Sequence, residues 1–252
     1  MTRWAPAGAL FLLLLVVLLA RMPARLLPAL LPVDQLMLQG VSGTLWHGKA
    51  SRSLLRTRAG YLQLGEVQWQ LRPWSLALLA PTLAIHSQWG EQRITGTVTM
   101  HGLQDIELQQ VEASFNAELL RQVAPVAVEG RFSLLANQLR VRNGMPAGGA
   151  GRLVWEYGAW AAPQGRLPLG SYALEFQQAD PDAAVTGEVL TLAGPVLAEG
   201  TVSLAGRAYA LDLMIRAERG LDPALQRALS LMARPRGDAF QLQLKGALRA
   251  PD

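Results

Sequence analysis

The segment Glu-Val-Gln-Trp-Gln-Leu-Arg at residues 66–72 alternates strictly between polar and apolar side chains. Successive side chains of a β-strand point to opposite faces, so a period of two places Val67, Trp69 and Leu71 together on one face. The same alternation returns at residues 138–142, 172–176, 211–215 and 240–244. The pattern predicts strands of antiparallel sheets with one face in contact with water.

Glycines mark the ends of many of these alternating runs. They are Gly40, Gly43, Gly60, Gly96, Gly102, Gly130, Gly200, Gly206 and Gly246. Glycine adopts the backbone angles that tight turns require, so we expect short strands joined by glycine turns. The chain is therefore predicted to be mainly β, with two short helices. A curved antiparallel β-sheet, a partial barrel and a sandwich all fit this pattern.

The two predicted helices are short and lie far apart in the chain. The first covers residues 117–123 and is stopped by Pro125. The second begins after Asp222, which can accept hydrogen bonds from the first turn, and Pro223 suits the first helical position. Apolar residues recur at positions 225, 229 and 232, and Pro235 and Gly237 follow. Each helix is expected to pack one apolar stripe on the sheet.

The N-terminus carries an apolar run at residues 4–20, between Arg3 and Arg21, that contains no charged side chain. A transmembrane helix needs about 20 apolar residues, with a lower limit of about 17. Trp4 suits the boundary between membrane and water. We predict an N-terminal transmembrane anchor at residues 1–21. The alternative is a cleaved signal peptide, although no pair of small residues marks a cleavage site before Arg21.

The orientation of the anchor is predicted from the charges at its two ends and from the domain after it. Arg3 and the terminal amine favour a cytoplasmic N-terminus, whereas Arg21 and Arg25 oppose it. The β-rich content downstream favours export of the bulk of the chain. The prediction is a single-pass protein of a bacterial inner membrane, with its main domain in the periplasm.

A proline-rich connector is predicted at residues 22–34, because Pro23, Pro28 and Pro32 interrupt any continuous helix. Such a segment is a stiff spacer between bilayer and domain. The apolar residues 26–31 also fit a brief interfacial segment. Residues 35–252 then form the periplasmic β-rich domain.

A weak internal similarity suggests two related halves, at residues 35–145 and 146–252. Each half opens with a glycine–tryptophan–glycine pattern, at residues 43–48 and 151–158, and each has one short helix before its final strand. Glycine and proline concentrate at residues 144–149, where the halves would join. A structural superposition of the halves tests this prediction.

The composition excludes several kinds of chemistry. The chain has no cysteine, which excludes disulfides, thiol nucleophiles and thiolate metal sites. Its histidines, His47, His86 and His101, have no partner at metal-ligand spacing. No nucleophile elbow, P-loop or dinucleotide-binding glycine motif occurs. Four carboxylates at positions 66, 91, 105 and 107 are interpreted as solvated strand faces. We predict a non-enzymatic protein without cofactor, metal or small-molecule substrate.

The net charge of +4 at pH 7 raises the alternative of nucleic-acid binding. The arginines are scattered, however, and no recognition motif surrounds the nearest cluster, Arg52, Arg56 and Arg58. We expect no nucleic-acid partner. A basic surface with some attraction to anionic lipid is the simpler interpretation.

Tryptophans are the most informative side chains of the exported part. Tryptophan buries a large area and needs a partner for its N–H, so core packing is the expected role for most of them. It also anchors many protein–protein contacts. Trp74, which follows Pro73 at a predicted strand end, is the first candidate for a partner-binding patch, together with Trp69 and Trp46.

Several landmarks occur in a specific order along the chain. Gly-Val-Ser-Gly-Thr-Leu-Trp-His-Gly at residues 40–48 is followed by Val-Gln-Trp-Gln-Leu-Arg-Pro-Trp at 67–74. Arg-Asn-Gly-Met-Pro at 142–146 and Gly-Arg-Leu-Val-Trp at 151–155 come next, before Leu-Gly-Ser-Tyr at 169–172 and Leu-Ala-Gly-Pro at 192–195. The ordered set resembles the family of protein N of the bacterial type II secretion system.

The resemblance implies an inner-membrane part of the apparatus that moves folded exoproteins from the periplasm to the medium. It implies partners among the other proteins of that system, the inner-membrane platform and the outer-membrane secretin, which such a protein links or stabilises. It transfers no catalytic residue. The alternative function is a single-anchor periplasmic protein whose β-groove handles lipid or serves envelope assembly.

Overall fold

The computed structural model describes residues 17–18, 20–26, 36–57, 60–102, 104–122, 127–143, 145–162, 165–180 and 183–248. Its main feature is one antiparallel sheet of 14 strands. The strands are β1 (Leu36–Gly43), β2 (His47–Thr57), β3 (Gly60–Leu71), β4 (Thr82–Trp89), β5 (Gln92–Met100), β6 (Asp105–Asn116), β7 (Val128–Arg142), β8 (Met145–Ala162), β9 (Gly165–Gln178), β10 (Val185–Ala193), β11 (Val196–Ala205), β12 (Ala208–Ala217), β13 (Arg234–Arg236) and β14 (Ala239–Ala247).

The strands follow one another in the sheet almost as they do in the chain. Each of β1 to β11 pairs with the next, β12 then pairs with β14, and the short β13 lies outside β14. The predicted mainly β, antiparallel fold is confirmed. The sheet stays open, since β1 and β13 are its two edges, and the sandwich alternative is wrong because the described strands form one sheet. Register shifts at several pairings bend and twist it locally.

The register gathers the alternating apolar side chains on one face, which we call the apolar face. It runs from Leu83 through Val98 and Leu108 to Leu139 on β4–β7. On β8–β14 it runs from Leu153 through Leu174, Val189, Gly200 and Leu213 to Leu242. The opposite, polar face carries residues such as Glu107 and Gln138. The alternation at residues 66–72 therefore predicts the sheet's two faces correctly.

The apolar face is only partly covered. Among the described residues, the buried hydrophobic side chains larger than alanine are Leu45, Trp69, Val111 and Val196. The largest side chain with almost no exposure is that of Ser53. Most leucines, isoleucines and valines of the apolar face remain partly accessible to solvent. A closed core of the kind found in a sandwich is thus absent from the described part of the chain.

A row of aromatic rings crosses the middle of the apolar face. Phe115, Phe132, Trp155 and Tyr172 lie on β6 to β9, and neighbouring ring centroids are 5.6–5.7 Å apart. Cross-strand aromatic pairs at this spacing stabilise a sheet. The indole N–H of Trp155 also donates to the carbonyl oxygen of Glu129 at 3.0 Å. The row joins strands on both sides of the predicted boundary near residue 146.

The helices are short, as predicted. A 3-10 helix spans Ala117–Gln122, and helix α2 spans Pro223–Met232, where the Asp222 side chain accepts a hydrogen bond from the N–H of Ala224 at 2.8 Å. Helix α1, Pro73–Ala77, follows β3 and was not expected. Its five residues are too few for a helical pattern to show in the sequence.

Residues 20–26 bring the chain onto the first hairpin. Pro23 forms a bridge with Thr44, and a 3-10 helix at Ala24–Leu26 contacts β1 and β2. Ala24 is buried and packs in a cluster with Ala50 and Trp69. Residues 22–26 of the predicted connector thus touch the sheet, and residues 27–34 lie outside the described residues.

In the described part of the chain, no helix has the length and apolar character needed to cross a membrane. The anchor predicted at residues 1–21 falls mostly outside that part, since only residues 17, 18, 20 and 21 of it are described. The predicted boundary between two halves falls at the turn from β7 to β8, within the one sheet. A duplication of the halves stays a prediction.

Candidate functional site

The three candidate tryptophans lie at one end of strands β1–β4. This end, which we call the tryptophan end, consists of the β1–β2 turn at residues 44–46, the last residues of β3, and the segment 73–81 that leads to β4. We call residues 73–81 the Trp74 loop. The structure therefore brings together residues from two of the sequence landmarks, 40–48 and 67–74.

Trp69 is buried and supports the fold of the first hairpin. Its side chain is only 5% exposed, and its indole N–H donates to the carbonyl oxygen of Leu45 at 3.1 Å. Its ring covers Gly48, where an added Cβ would overlap the ring atom Cζ2. The glycine at position 48 therefore gives the tryptophan its place against β2.

Trp46 is half-buried in the β1–β2 turn. Its carbonyl oxygen accepts a hydrogen bond from the N–H of Leu71 at 2.7 Å. The neighbouring Thr44 hydroxyl and the backbone of His47 close the same turn. The turn is thus joined directly to the end of β3, where the Trp74 loop begins.

Trp74 differs from both, because its side chain is 82% exposed. It lies in α1, with Pro73 at the start of the helix. Two leucines that the sequence analysis missed lie just beyond: Leu78 is 78% exposed and Leu79 is 88% exposed. The sequence does distinguish this segment, since residues 73–85 contain no charged side chain and break the alternating pattern of the strands.

Ser75 holds the base of the Trp74 loop together. Its hydroxyl donates to the carbonyl oxygen of Arg72 at 2.6 Å and accepts from the N–H of Thr82 at 2.8 Å. Its carbonyl oxygen accepts from the N–H of Ala80 at 3.1 Å, and the N–H of Arg72 donates to the carbonyl oxygen of Thr82 at 3.0 Å. Ser75 itself is buried. The loop is therefore a closed, hydrogen-bonded structure.

Leu79 adopts a left-handed backbone conformation, with φ of 55°. Leucine rarely adopts this conformation, because its Cβ crowds the backbone there. The N–H of Leu79 still bonds to the carbonyl oxygen of Leu76 at 3.1 Å. The loop thus keeps an exposed apolar side chain in a conformation that costs free energy locally.

The N-terminal segment meets the sheet at this same end. The N–H of Leu45 donates to the carbonyl oxygen of Met22 at 2.8 Å, next to the Pro23–Thr44 bridge. The charges in these segments are all positive, with exposed Arg21, Arg25 and Arg72. No aspartate or glutamate occurs in residues 20–26, 43–49 or 70–83. The tryptophan end therefore has apolar side chains on the Trp74 loop and arginines around the loop.

Glu107 and Glu91 lie outside these segments, but Glu107 lines a cleft on the polar face together with Arg72 and Thr82. Glu107 accepts hydrogen bonds from Gln109 and Gln138, each at 2.8 Å, and contacts His101 at 3.1 Å. The hydrogen bond from Gln109, and then those from His101 and Gln138, lower the pKa of Glu107, while burial opposes them. Glu91 pairs with Arg131 at 3.0 Å. Glu107 and Glu91 are therefore both engaged with neighbours on the sheet.

Metal-ligating side chains are dispersed in the same way. Within the described ranges, no three histidine, aspartate or glutamate side chains come close enough to hold a metal ion. His47 and His86 lie on β2 and β4, and His101 is in the β5–β6 turn. The features with potential for binding are therefore the Trp74 loop, the apolar face and the sheet edges.

The two edges differ in length. Beyond β1 no further strand pairs within the described part, and Met37 on this strand is partly exposed. At the other edge, β13 pairs only with residues 239–241 of β14. A strand without a neighbour presents unpaired N–H and C=O groups that another strand can join.

Comparison with known proteins identifies relatives along almost the whole chain. The model of the family described as type II secretion system, protein N, matches residues 34–243. The type II secretion system protein N of Aeromonas hydrophila is 30% identical over 257 aligned positions, which cover 96% of this chain and 97% of the relative.

Two further proteins of the same name are more distant. That of Klebsiella pneumoniae is 27% identical over 81% of this chain and 84% of its own length. That of Vibrio cholerae serotype O1 is 24% identical over 94% of this chain and 95% of its own length. No solved structure matches the chain significantly.

Proposed function

We propose, because the chain belongs to the family of type II secretion system protein N, that it is a non-enzymatic part of a type II secretion system that links or stabilises the inner-membrane platform and the outer-membrane secretin. The observation that carries the proposal is the family match over residues 34–243. Such a system exports folded exoproteins from the periplasm across the outer membrane. The predicted resemblance to this family is confirmed.

The proposal includes a single-pass placement in the inner membrane. The uncharged run at residues 4–20 supports it, with the N-terminus in the cytoplasm and the sheet in the periplasm. Since the chain has no cysteine, single cysteines can report this topology. A cysteine replacing exposed Leu231 should react with a membrane-impermeant maleimide in spheroplasts, whereas Thr2→Cys should react only after lysis. The reverse pattern would contradict the orientation.

Secretion itself is tested by deleting the gene and restoring it. We expect folded exoprotein to accumulate in the periplasm of the deletion strain and the full chain to restore secretion. A chain whose residues 1–21 are replaced by a cleavable signal peptide still reaches the periplasm but should not restore secretion. Normal secretion without the gene would overturn the proposed role, and rescue by the unanchored chain would overturn the need for the anchor.

The link to other proteins of the system is proposed to use the free edge at β1. Strand addition satisfies the unpaired backbone groups of such an edge. A cysteine at exposed Met37 on β1 should cross-link to platform or secretin proteins in cells. Leu135→Cys, which is exposed in the middle of the sheet, is the matched control. Equal cross-linking at both positions, or none at Met37, would count against pairing at this edge.

A second candidate function is the handling of lipid or envelope material on the apolar face. The observation that favours it is the partly uncovered row of leucines and valines that crosses the sheet. Such a surface is large for a soluble protein and fits acyl chains. Lipid that co-purifies with the full chain, and that is lost in Leu108→Asp but kept in Leu135→Asp, which replaces an exposed leucine of the polar face, would support it. Equal lipid content in both variants would oppose it.

A further inference from the structure

We propose that the Trp74 loop is a second membrane contact, which inserts Trp74, Leu78 and Leu79 into the surface of the bilayer that holds the N-terminal segment. The inference rests on the proposed membrane placement of residues 1–21. The loop contacts the headgroup and upper acyl region of a phospholipid bilayer. It gives the protein two attachment points and fixes the orientation of its sheet.

The apolar exposure of the loop is the first argument. Trp74, Leu78 and Leu79 are all more than three-quarters exposed, and they lie within six residues of one another. Single exposed apolar side chains are common on soluble proteins, but a compact group of large ones marks an interaction site. Tryptophan with neighbouring leucines is the composition favoured at the membrane–water interface.

The second argument is that the backbone of the Trp74 loop is ordered. Ser75 closes the loop with hydrogen bonds to Arg72 and Thr82, and Leu79 is kept in a left-handed conformation. The backbone that carries the exposed side chains is therefore ordered before any contact is made. Binding then loses little conformational entropy, because the loop is already ordered.

The position of the loop relative to the N-terminus is the third argument. Residues 17, 18 and 20 are helical, and the N–H of Arg21 bonds to the carbonyl oxygen of Val17. The next residue, Met22, accepts a hydrogen bond from the N–H of Leu45. From Leu45 the turn continues to Trp46, whose carbonyl oxygen is bonded to Leu71, two residues before the Trp74 loop. The end of the apolar N-terminal run and the loop therefore lie on the same end of the sheet.

Charge provides the fourth argument. Arg21, Arg25 and Arg72 are exposed around the loop, and acidic residues are absent from residues 20–26, 43–49 and 70–83. Two carboxylates of β6 lie close to this end, and both have partners. Glu107, which lines a cleft with Arg72 and Thr82, accepts hydrogen bonds from Gln109 and Gln138, and Asp105 faces Arg142 at 3.8 Å. Basic side chains next to an apolar tip are attracted by anionic phospholipid headgroups. This pattern favours a lipid surface over a purely apolar protein groove.

The test uses the full chain in vesicles of phosphatidylethanolamine and phosphatidylglycerol. Since there is no native cysteine, Leu79→Cys carries a single polarity-sensitive fluorophore, and Leu78→Cys provides a second position. The matched control is Leu231→Cys in α2, which is 87% exposed at the opposite end of the strands. We expect blue-shifted emission and quenching by spin-labelled lipid at positions 78 and 79 but neither effect at 231.

The outcomes separate this inference from the proposed function. A fluorophore at Leu12→Cys reports the N-terminal segment itself. Quenching at 12 without quenching at 78 and 79 would overturn the loop contact and leave the anchor in place, and no quenching at 12 would overturn the anchor and the inference with it. Emission at 79 that shifts only when purified platform or secretin proteins are added would assign the loop to a protein partner and overturn the lipid contact. Weaker quenching at 79 in vesicles without phosphatidylglycerol would support the role of charge.

Discussion

The indole N–H of Trp69 donates to the carbonyl oxygen of Leu45 at 3.1 Å, and the ring lies over Gly48. This contact joins the turn of the first hairpin to the last residues of β3, across 24 residues of chain. It also buries the ring against Ala24 and Ala50. The first two landmarks of the sequence therefore form one packed unit, which supports the base of the Trp74 loop.

We expect Gly48→Ala to destabilise the domain. A Cβ at position 48 would overlap the Trp69 ring and approach the carbonyl oxygen of Thr44 at 2.9 Å, so the indole must move. Overpacking of this kind costs about 1–3 kcal/mol. The measurement is the free energy of unfolding in urea.

Gly96→Ala on β5 is the matched control for this substitution. An added Cβ there meets Val111 at 3.4 Å, an ordinary contact, and the backbone needs no left-handed angle. The free energy of unfolding of Gly96→Ala should be close to that of the unsubstituted protein, which we call the parent. Equal stabilities of Gly48→Ala and Gly96→Ala would show that Trp69 tolerates displacement from Gly48.

Tyr172 predicts a dependence of stability on alkaline pH. Burial raises the pKa of its phenol from 10.0 to about 12, and the hydroxyl donates to the carbonyl oxygens of Leu169 and Val196. The raised pKa means that Tyr172 stabilises the fold fully below pH 10 and loses this contribution as pH rises from 10 towards 12. Tyr172→Phe should be less stable at pH 8 by about 1 kcal/mol, the value of a hydrogen bond.

The difference in the free energy of unfolding between the parent and Tyr172→Phe should then become smaller as pH rises above 10. Phe115→Leu, at the other end of the same aromatic row, removes packing without removing a titrating group. Its difference from the parent should stay constant over this range. A constant difference for Tyr172→Phe as well would contradict the raised pKa.

The strands were predictable because their signal is local. Val67, Trp69 and Leu71 alternate with glutamines, and a strand buried on one face needs this period wherever it lies in a sheet. The caps of α2 were predictable for the same reason, since Asp222 and Pro223 act on the adjacent turn.

The sheet order and the exposure of particular tryptophans were not predictable in this way. They depend on contacts between distant residues. Trp69 and Trp74 lie only five residues apart, yet one is buried under the first hairpin and the other is exposed, because α1 takes the chain out of the strand after Arg72. Only the pairing of β2, β3 and β4 distinguishes these environments.

The cap of α2 provides a third prediction. The Asp222 carboxylate accepts from the N–H of Ala224, one of the unpaired donors of the first turn. Asp222→Ala should lower stability by about 1 kcal/mol and speed hydrogen exchange in the first turn of α2. Asp180→Ala removes the same charge from an exposed bend, where the backbone oxygen of Asp180 accepts from the N–H of Ala183. Similar losses for both variants would indicate a general effect of charge instead of a cap.

Glu107 and its hydrogen-bond partners on the polar face predict how the free energy of unfolding changes in acid. Hydrogen bonds from Gln109, His101 and Gln138 lower the pKa of Glu107 below its ordinary value of 4.5. A lowered pKa means that Glu107 stabilises the fold above pH 4.5 and loses this contribution as pH falls through its folded value. Glu107→Gln should therefore be less stable than the parent at pH 7, and the difference should narrow below pH 4.5. Gln109→Ala keeps the carboxylate but removes its first donor, so its acid dependence should lie between the two. Parallel unfolding curves for the parent and Glu107→Gln from pH 7 to strong acid would show that the hydrogen bonds on Glu107 do not favour its ionised form.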